Sequence, residues 1–159
     1  TLLGCASGGL LAAALAALRA PALVEPLAVT AALLTLGGAM TRLASLARND
    51  SLKPKSTPQS ATGIANPKLV QKAQGAMGGS FNTREFFHGR SADFMRASKG
   101  FFLIAGFALP LFLISGALAG APRLLLAAFV VQMTGLFAER WFFLAQANHP
   151  QNIYYQTIS

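Results

Sequence analysis

The chain is poor in charge and nearly free of cysteine. Of its 159 residues 11% are charged, 13 basic and 5 acidic, where a soluble domain carries about 25%. Those few charges avoid long stretches and gather in one central segment. A soluble helix needs polar side chains on the face that meets water, and this distribution does not supply them. The single cysteine, Cys5, lies in an apolar run. One cysteine excludes an intrachain disulfide and a cysteine-ligated cluster, and it leaves the redox compartment unread. The two histidines, His88 and His149, fall outside the apolar runs, so haem ligation between membrane helices is not expected. Walker loop, dinucleotide fingerprint, nucleophile elbow and metal-spaced His/Cys sets are all lacking. The chain therefore reads as non-catalytic by itself, with no haem or metal of its own.

What it has is apolar sequence, 53% of the whole. A helix crossing the hydrocarbon core of a bilayer needs about 20 mostly apolar residues. Four runs approach that length: residues 1–18, 27–46, 101–119 and 124–145. No strand pattern competes with them. The fold class expected is an all-α integral membrane bundle with four transmembrane helices. Arg19, Pro21, Glu25 and Pro26 mark one short turn, and Gly120, Ala121, Pro122 and Arg123 another. The second run ends on Arg42 and Arg48. Gly4 with Gly8, and Gly116 with Gly120, repeat at the four-residue spacing that lets membrane helices approach closely. Pro110 removes a backbone hydrogen bond and predicts a kink in the third helix. The chain opens at Thr1 already inside an apolar run, without the basic start of a secretory signal. A C-terminal fragment of a longer protein is expected.

The net charge of +8 and a pI near 10.6 raise nucleic acid as a partner. The placement of the charges argues against it. Residues 47–100 hold Arg48, Lys53, Lys55, Lys68, Lys72, Arg84, Arg90, Arg96 and Lys99, opposed by Asp50, Glu85 and Asp93. The short turns carry one basic residue each, Arg19 and Arg123. Basic loops of this kind stay in the cytoplasm and meet lipid headgroups, so the loop and the tail 146–159 are placed on that side. Within the loop, Asn82 is a candidate helix cap, with Glu85 three residues on as its capping-box partner. The helix so started would carry Phe86, Phe87, Phe94 and Met95 towards the membrane and run on into the third span. Arg84, Glu85 and Arg90 would meet headgroups or a partner protein. Tyr154 and Tyr155 would anchor the tail among the headgroups.

Ionisable residues inside a span are expensive, and they are usually paired or functional. Glu139 and Arg140 lie in Gly135-Leu136-Phe137-Ala138-Glu139-Arg140-Trp141-Phe142-Phe143. Neighbours on a helix point about 100° apart, so the two do not simply pair with each other. Two readings stand. Arg140 snorkels to the interface while Glu139 meets a basic residue of another helix; or Glu139 exchanges a proton with a bound ligand. His88 and His149 fall on the same side as Glu139. Ordinary surface hydrogen bonding is one reading of them, and a quinol site with Glu139 and Arg140 is the other.

Several polar segments resemble a known family. They are Asn66-Pro67-Lys68, Val70-Gln71-Lys72-Ala73-Gln74-Gly75, and Gly79-Ser80-Phe81-Asn82-Thr83-Arg84-Glu85-Phe86-Phe87-His88-Gly89. With them go Ala138-Glu139-Arg140-Trp141-Phe142-Phe143 and Gln146-Ala147-Asn148-His149-Pro150-Gln151-Asn152. Together they resemble the C-terminal half of the membrane-anchor subunit of dimethyl sulfoxide reductase-type molybdoenzymes. The resemblance implies a multi-pass subunit of roughly eight helices in the bacterial inner membrane. It implies oxidation of menaquinol as substrate, in anaerobic respiration. It also implies two partners, an iron–sulfur subunit with its clusters and a molybdopterin catalytic subunit. Two alternatives remain beside it: a purely structural anchor with the quinol site in the helices upstream of Thr1, and a transporter fragment. A transporter favours polar groups near the bilayer midplane. Here the ionisable residues gather towards one face.

Overall fold

The computed structural model describes residues 2–52, 59–60, 63–66 and 91–146. Helix α1 is Leu2–Arg19, a short 3-10 turn follows at Pro21–Leu23, and α2 is Val24–Ser51. Helix α3, Ala92–Leu103, passes through a π-helical turn, Ile104–Ala108, into α4, Leu109–Leu118. Helix α5 is Leu124–Gln146. Among the described residues there is no strand, and four helical spans are long and apolar enough to cross a membrane. They are Leu2–Arg19, Pro21–Ser51, Asp93–Leu118 and Leu124–Ala145. The protein is an all-helical, multi-pass membrane protein.

Helix is the form that lets these runs enter lipid, because every backbone group is bonded within its own segment. The ends follow local chemistry. Pro21 opens the turn after α1, where a missing N–H leaves nothing unpaired. Helix α4 ends in a Schellman motif: Ala121 N–H donates to Gly116 O at 3.3 Å and Gly120 N–H to Ala117 O at 3.2 Å. Gly120 takes φ +116, which side chains disfavour. Its role is thus to stop a helix rather than to pair with Gly116 in packing. Gly4 and Gly8 likewise face open space, where an added Cβ would meet nothing within 4 Å. The close backbone approach is elsewhere, at Gly106 and Gly135.

The π-helical turn sits directly before Pro110. Leu109 N–H donates to Ile104 O, five residues back. A proline ring crowds the carbonyl four residues earlier, and a widened turn relieves that crowding. The helix entering this span starts at Ala92, inside the segment the sequence reads as loop, and Ser91 caps it: Phe94 N–H donates to Ser91 Oγ at 3.2 Å. The expected Asn82–Glu85 cap lies outside the described residues, as do Phe86 and Phe87.

Contacts divide the chain into two units, residues 1–51 with 97–139, and residues 52–96 with 140–159. The core of the first is Leu10, Ala13, Ala28, Ala31, Ile114, Ala117, Leu125 and Ala128. Five of these eight are alanines, whose small side chains bring helices together without a hydrophobic drive from water. In the second unit, Phe94 and Trp141 stack edge to face, with ring centroids 5.5 Å apart.

Candidate functional site

Two helices present polar side chains to each other inside the first unit. On α2 the inward stripe is Ala28, Ala31, Thr35, Gly38 and Arg42; on α5 it includes Leu125, Ala128, Gln132, Gly135 and Glu139. Both advance by alternating steps of three and four, which keeps one face of a helix turned to its neighbour. The two polar contacts share one offset. Gln132 meets Thr35 and Glu139 meets Arg42, each pair 97 positions apart. A constant offset means that α2 and α5 run parallel. The short turns begin both helices, so both run towards the end where Asp50 and Lys99 pair at 3.4 Å.

The deeper layer is a hydrogen bond. Gln132 Nε2 donates to Thr35 Oγ1 at 3.0 Å, and that hydroxyl donates to Ala31 O at 2.8 Å. Both side chains are fully buried. The Thr35 proton is committed to Ala31, so the amide must turn its N–H towards Thr35, and Gln132 Oε1 is left without a partner.

The shallower layer is an ion pair. Arg42 Nε lies 2.8 Å from Glu139 Oε1, with side chains 10% and 11% exposed. The contact is close but falls short of a directed hydrogen bond, and both Nε and Nη2 of Arg42 lack one. The guanidinium also sits over the Phe102 ring, 5.6 Å from its centroid. Phe102 is fully buried, so the cation is held by carboxylate on one side and ring quadrupole on another.

Glu139 therefore finds its basic partner on another helix, and that partner is Arg42. Arg42 does not end its helix, which continues nine residues further to Ser51. Arg140 is exposed on α5. His88, His149, Arg84, Glu85 and Arg90 lie outside the described residues. Among those described, no three His, Cys, Asp or Glu side chains group as metal ligands. Sequence reasoning missed Thr35 and Arg42 as members of the site. The signal was available: Gln132 and Glu139 stand seven apart on one apolar helix, and Thr35 and Arg42 stand seven apart on another.

Comparison with known proteins adds one relative. The chain is 50% identical over 158 residues to a sulfite dehydrogenase subunit of Allochromatium vinosum, covering 99% of this chain and 49% of that protein. The chain thus spans about half the length of the curated relative it matches. No family model matches the chain, and no solved structure matches it. The relative's name makes it one part of a multi-subunit redox enzyme, and this chain is similar to about half of that part.

Proposed function

We propose that the chain is part of the membrane-anchor subunit of a molybdoenzyme complex in the bacterial inner membrane. The anchor exchanges electrons between the quinone pool and an iron–sulfur subunit, and a molybdopterin subunit beyond it performs the chemistry on the soluble substrate. The observation that carries this reading is 50% identity, along 99% of the chain, to a subunit of sulfite dehydrogenase. The four spans supply the anchor. The buried Arg42–Glu139 pair supports a site for redox chemistry, since intramembrane charge is retained where it is used. The basic residues on the loop side favour a cytoplasmic loop.

Two directions of electron flow follow from two observations. The resemblance to dimethyl sulfoxide reductase anchors implies menaquinol oxidation, with two electrons passing to the clusters and two protons released. The relative's name favours the reverse, in which sulfite is oxidised on the partner and menaquinone takes up two electrons and two protons. The identity is the broader observation, so the dehydrogenase direction is our first reading.

The test uses the complete complex purified from membranes. With sulfite as donor and a short-chain naphthoquinone as acceptor, quinone reduction should follow cluster reduction. With the corresponding naphthoquinol as donor and sulfite absent, reduction of an added sulfoxide would establish the opposite direction. Clusters that respond to neither quinone nor quinol would overturn the role in quinone exchange.

A further inference from the structure

Helix α1 has two faces of opposite kind. Ala6, Leu10 and Ala13 turn inward, fully buried, and on that side α1 packs on α2. The fit is close: Leu3 fills the space beside Gly38, and a Cβ on Gly9 would meet the Cβ of Ala31 at 3.4 Å. Ser7 also turns inward, and its hydroxyl donates to Leu3 O at 3.0 Å.

The outward face carries Gly4, Cys5, Gly8 and Ala12, all exposed, with exposed Leu11 and Leu15 beside them. Gly4, Gly8 and Ala12 advance by four residues. Each step drifts about 40° around the axis, so the three form one shallow groove along the helix. A Cβ on Gly4 or on Gly8 would meet nothing within 4 Å. The other spans turn bulk outward instead: Leu33 and Met40 on α2, Phe112 on α4, Val130 and Phe137 on α5. In lipid, small residues bring backbone to the helix surface and permit close approach of a second helix. The outer face of α1 is thus shaped for helix contact, while the others are shaped for lipid chains.

Two observations narrow the occupant. The groove offers no charged side chain, amide or hydroxyl, so what fills it is apolar. The sulfite dehydrogenase subunit carries about as much sequence outside the match as within it. A helix from the same chain is held nearby at high effective concentration, so a shallow apolar groove is enough to seat it. A second copy would have to offset its lost translational and rotational freedom with the same small surface.

We propose that the Gly4–Gly8–Ala12 groove of α1 seats an uncharged membrane helix from the rest of the same subunit. The two axes pass closer than the roughly 8–10 Å of ordinary helix pairs. The proposal rests on the reading above, that the chain is part of a larger anchor subunit, and adds the seam along which its parts join.

The test uses the full-length subunit in its complex, kept in membranes, with a diazirine analogue of leucine at position 15, beside the groove. After irradiation, the peptide holding that residue should be joined to a membrane-spanning peptide from outside residues 1–159. The product should keep the mass of one subunit on a denaturing gel. Crosslinks to lipid alone overturn the proposal. A product of twice the mass puts a second copy on the groove and overturns it, as does a crosslink to a different subunit. Stability gives an independent readout. Gly8→Ile overpacks a seated helix, and the melting midpoint of the complex should fall by about 4 °C or more. On a lipid-facing surface the new side chain has room, so a midpoint unchanged or raised overturns the proposal. Should Gly8→Ile fail to assemble, the crosslink decides alone. The larger-subunit reading fails in a different way: the full-length protein would purify without redox partners, whichever way the crosslink falls.

Discussion

Gly135 is the position where one added methyl should do the most damage. A Cβ built there runs into Gly106 N and lies 2.5 Å from the carbonyl carbon of Ala105 and from Gly106 Cα. These are backbone atoms, with no side-chain rotation to escape by. Carbon atoms pack best at about 3.5–4.0 Å, so the two helices must separate by about 1 Å or more. Overpacking of this kind costs about 1–3 kcal/mol. The shift also pulls on two contacts within a turn or so of Gly135, the 3.0 Å bond of Gln132 and the 2.8 Å pair of Glu139. We expect Gly135→Ala to lose about 2 kcal/mol, read as a fall of roughly 4–8 °C in the melting midpoint of the detergent-solubilised protein. The control is the other side of the same contact. A Cβ on Gly106 comes no closer than 3.7 Å to Gly135, an ordinary distance. Gly106→Ala should therefore not lower the midpoint, and the roughly 1 kcal/mol by which alanine favours a helix over glycine should raise it by about 2–4 °C. Gly37→Ala, where nothing lies within 4 Å, should do the same. Equal effects of Gly135→Ala and Gly106→Ala would refute the packing argument.

Three further outcomes are expected. Thr35→Val deletes the hydroxyl that receives Gln132 Nε2; the loss should be about 0.6–1.7 kcal/mol, the range for hydrogen bonds between membrane helices, measured by reversible unfolding in mixed micelles. Ser91→Ala removes the cap at Phe94 N–H; amide exchange over residues 92–95 should quicken by a factor of about 5, matching a cap of about 1 kcal/mol, while exchange in α5 stays the same. A double-mutant cycle replacing Phe94 and Trp141 by Leu should return a coupling of about 0.5–1.5 kcal/mol for their edge-to-face contact, and a coupling of zero would reduce it to incidental proximity.

The four spans were legible because lipid imposes one rule on every residue that enters it. The runs around Leu10, Ala31, Ile114 and Ala128 satisfy it by composition alone, and these residues fall in one core. Partner choice was not legible in the same way. Glu139 announced itself as a buried acid, but its sequence neighbours say nothing of which helix lies opposite. The answer is Arg42, which the sequence reads as a helix terminus because arginines usually stand at the headgroups. Gly4 and Gly8 meet no other described helix: four-residue repeats define a smooth surface, and nothing in them states which helix covers it. Gly120 was read for its size, whereas its backbone angle is what the turn requires. Gly106 and Gly135 carry no four-residue signal, because each meets a glycine on another helix rather than on its own.

The π-helical turn at Ile104–Ala108 also sets the rotational phase of the span. Phe102 and Ile114 are both fully buried, although they stand twelve residues apart. In an unbroken α-helix, at about 100° per residue, twelve steps leave two side chains roughly 120° out of line. One extra residue taken up in a widened turn reduces the effective count to eleven and the mismatch to about 20°. The turn thus lets the half of the span that stacks against Arg42 and the half that fills the core face the same way. Deleting one residue within 104–108 would turn this stretch into ordinary α-helix with Phe102 and Ile114 eleven steps apart and still in phase, whereas inserting one there would rotate Phe102 away from the guanidinium or Ile114 out of the core.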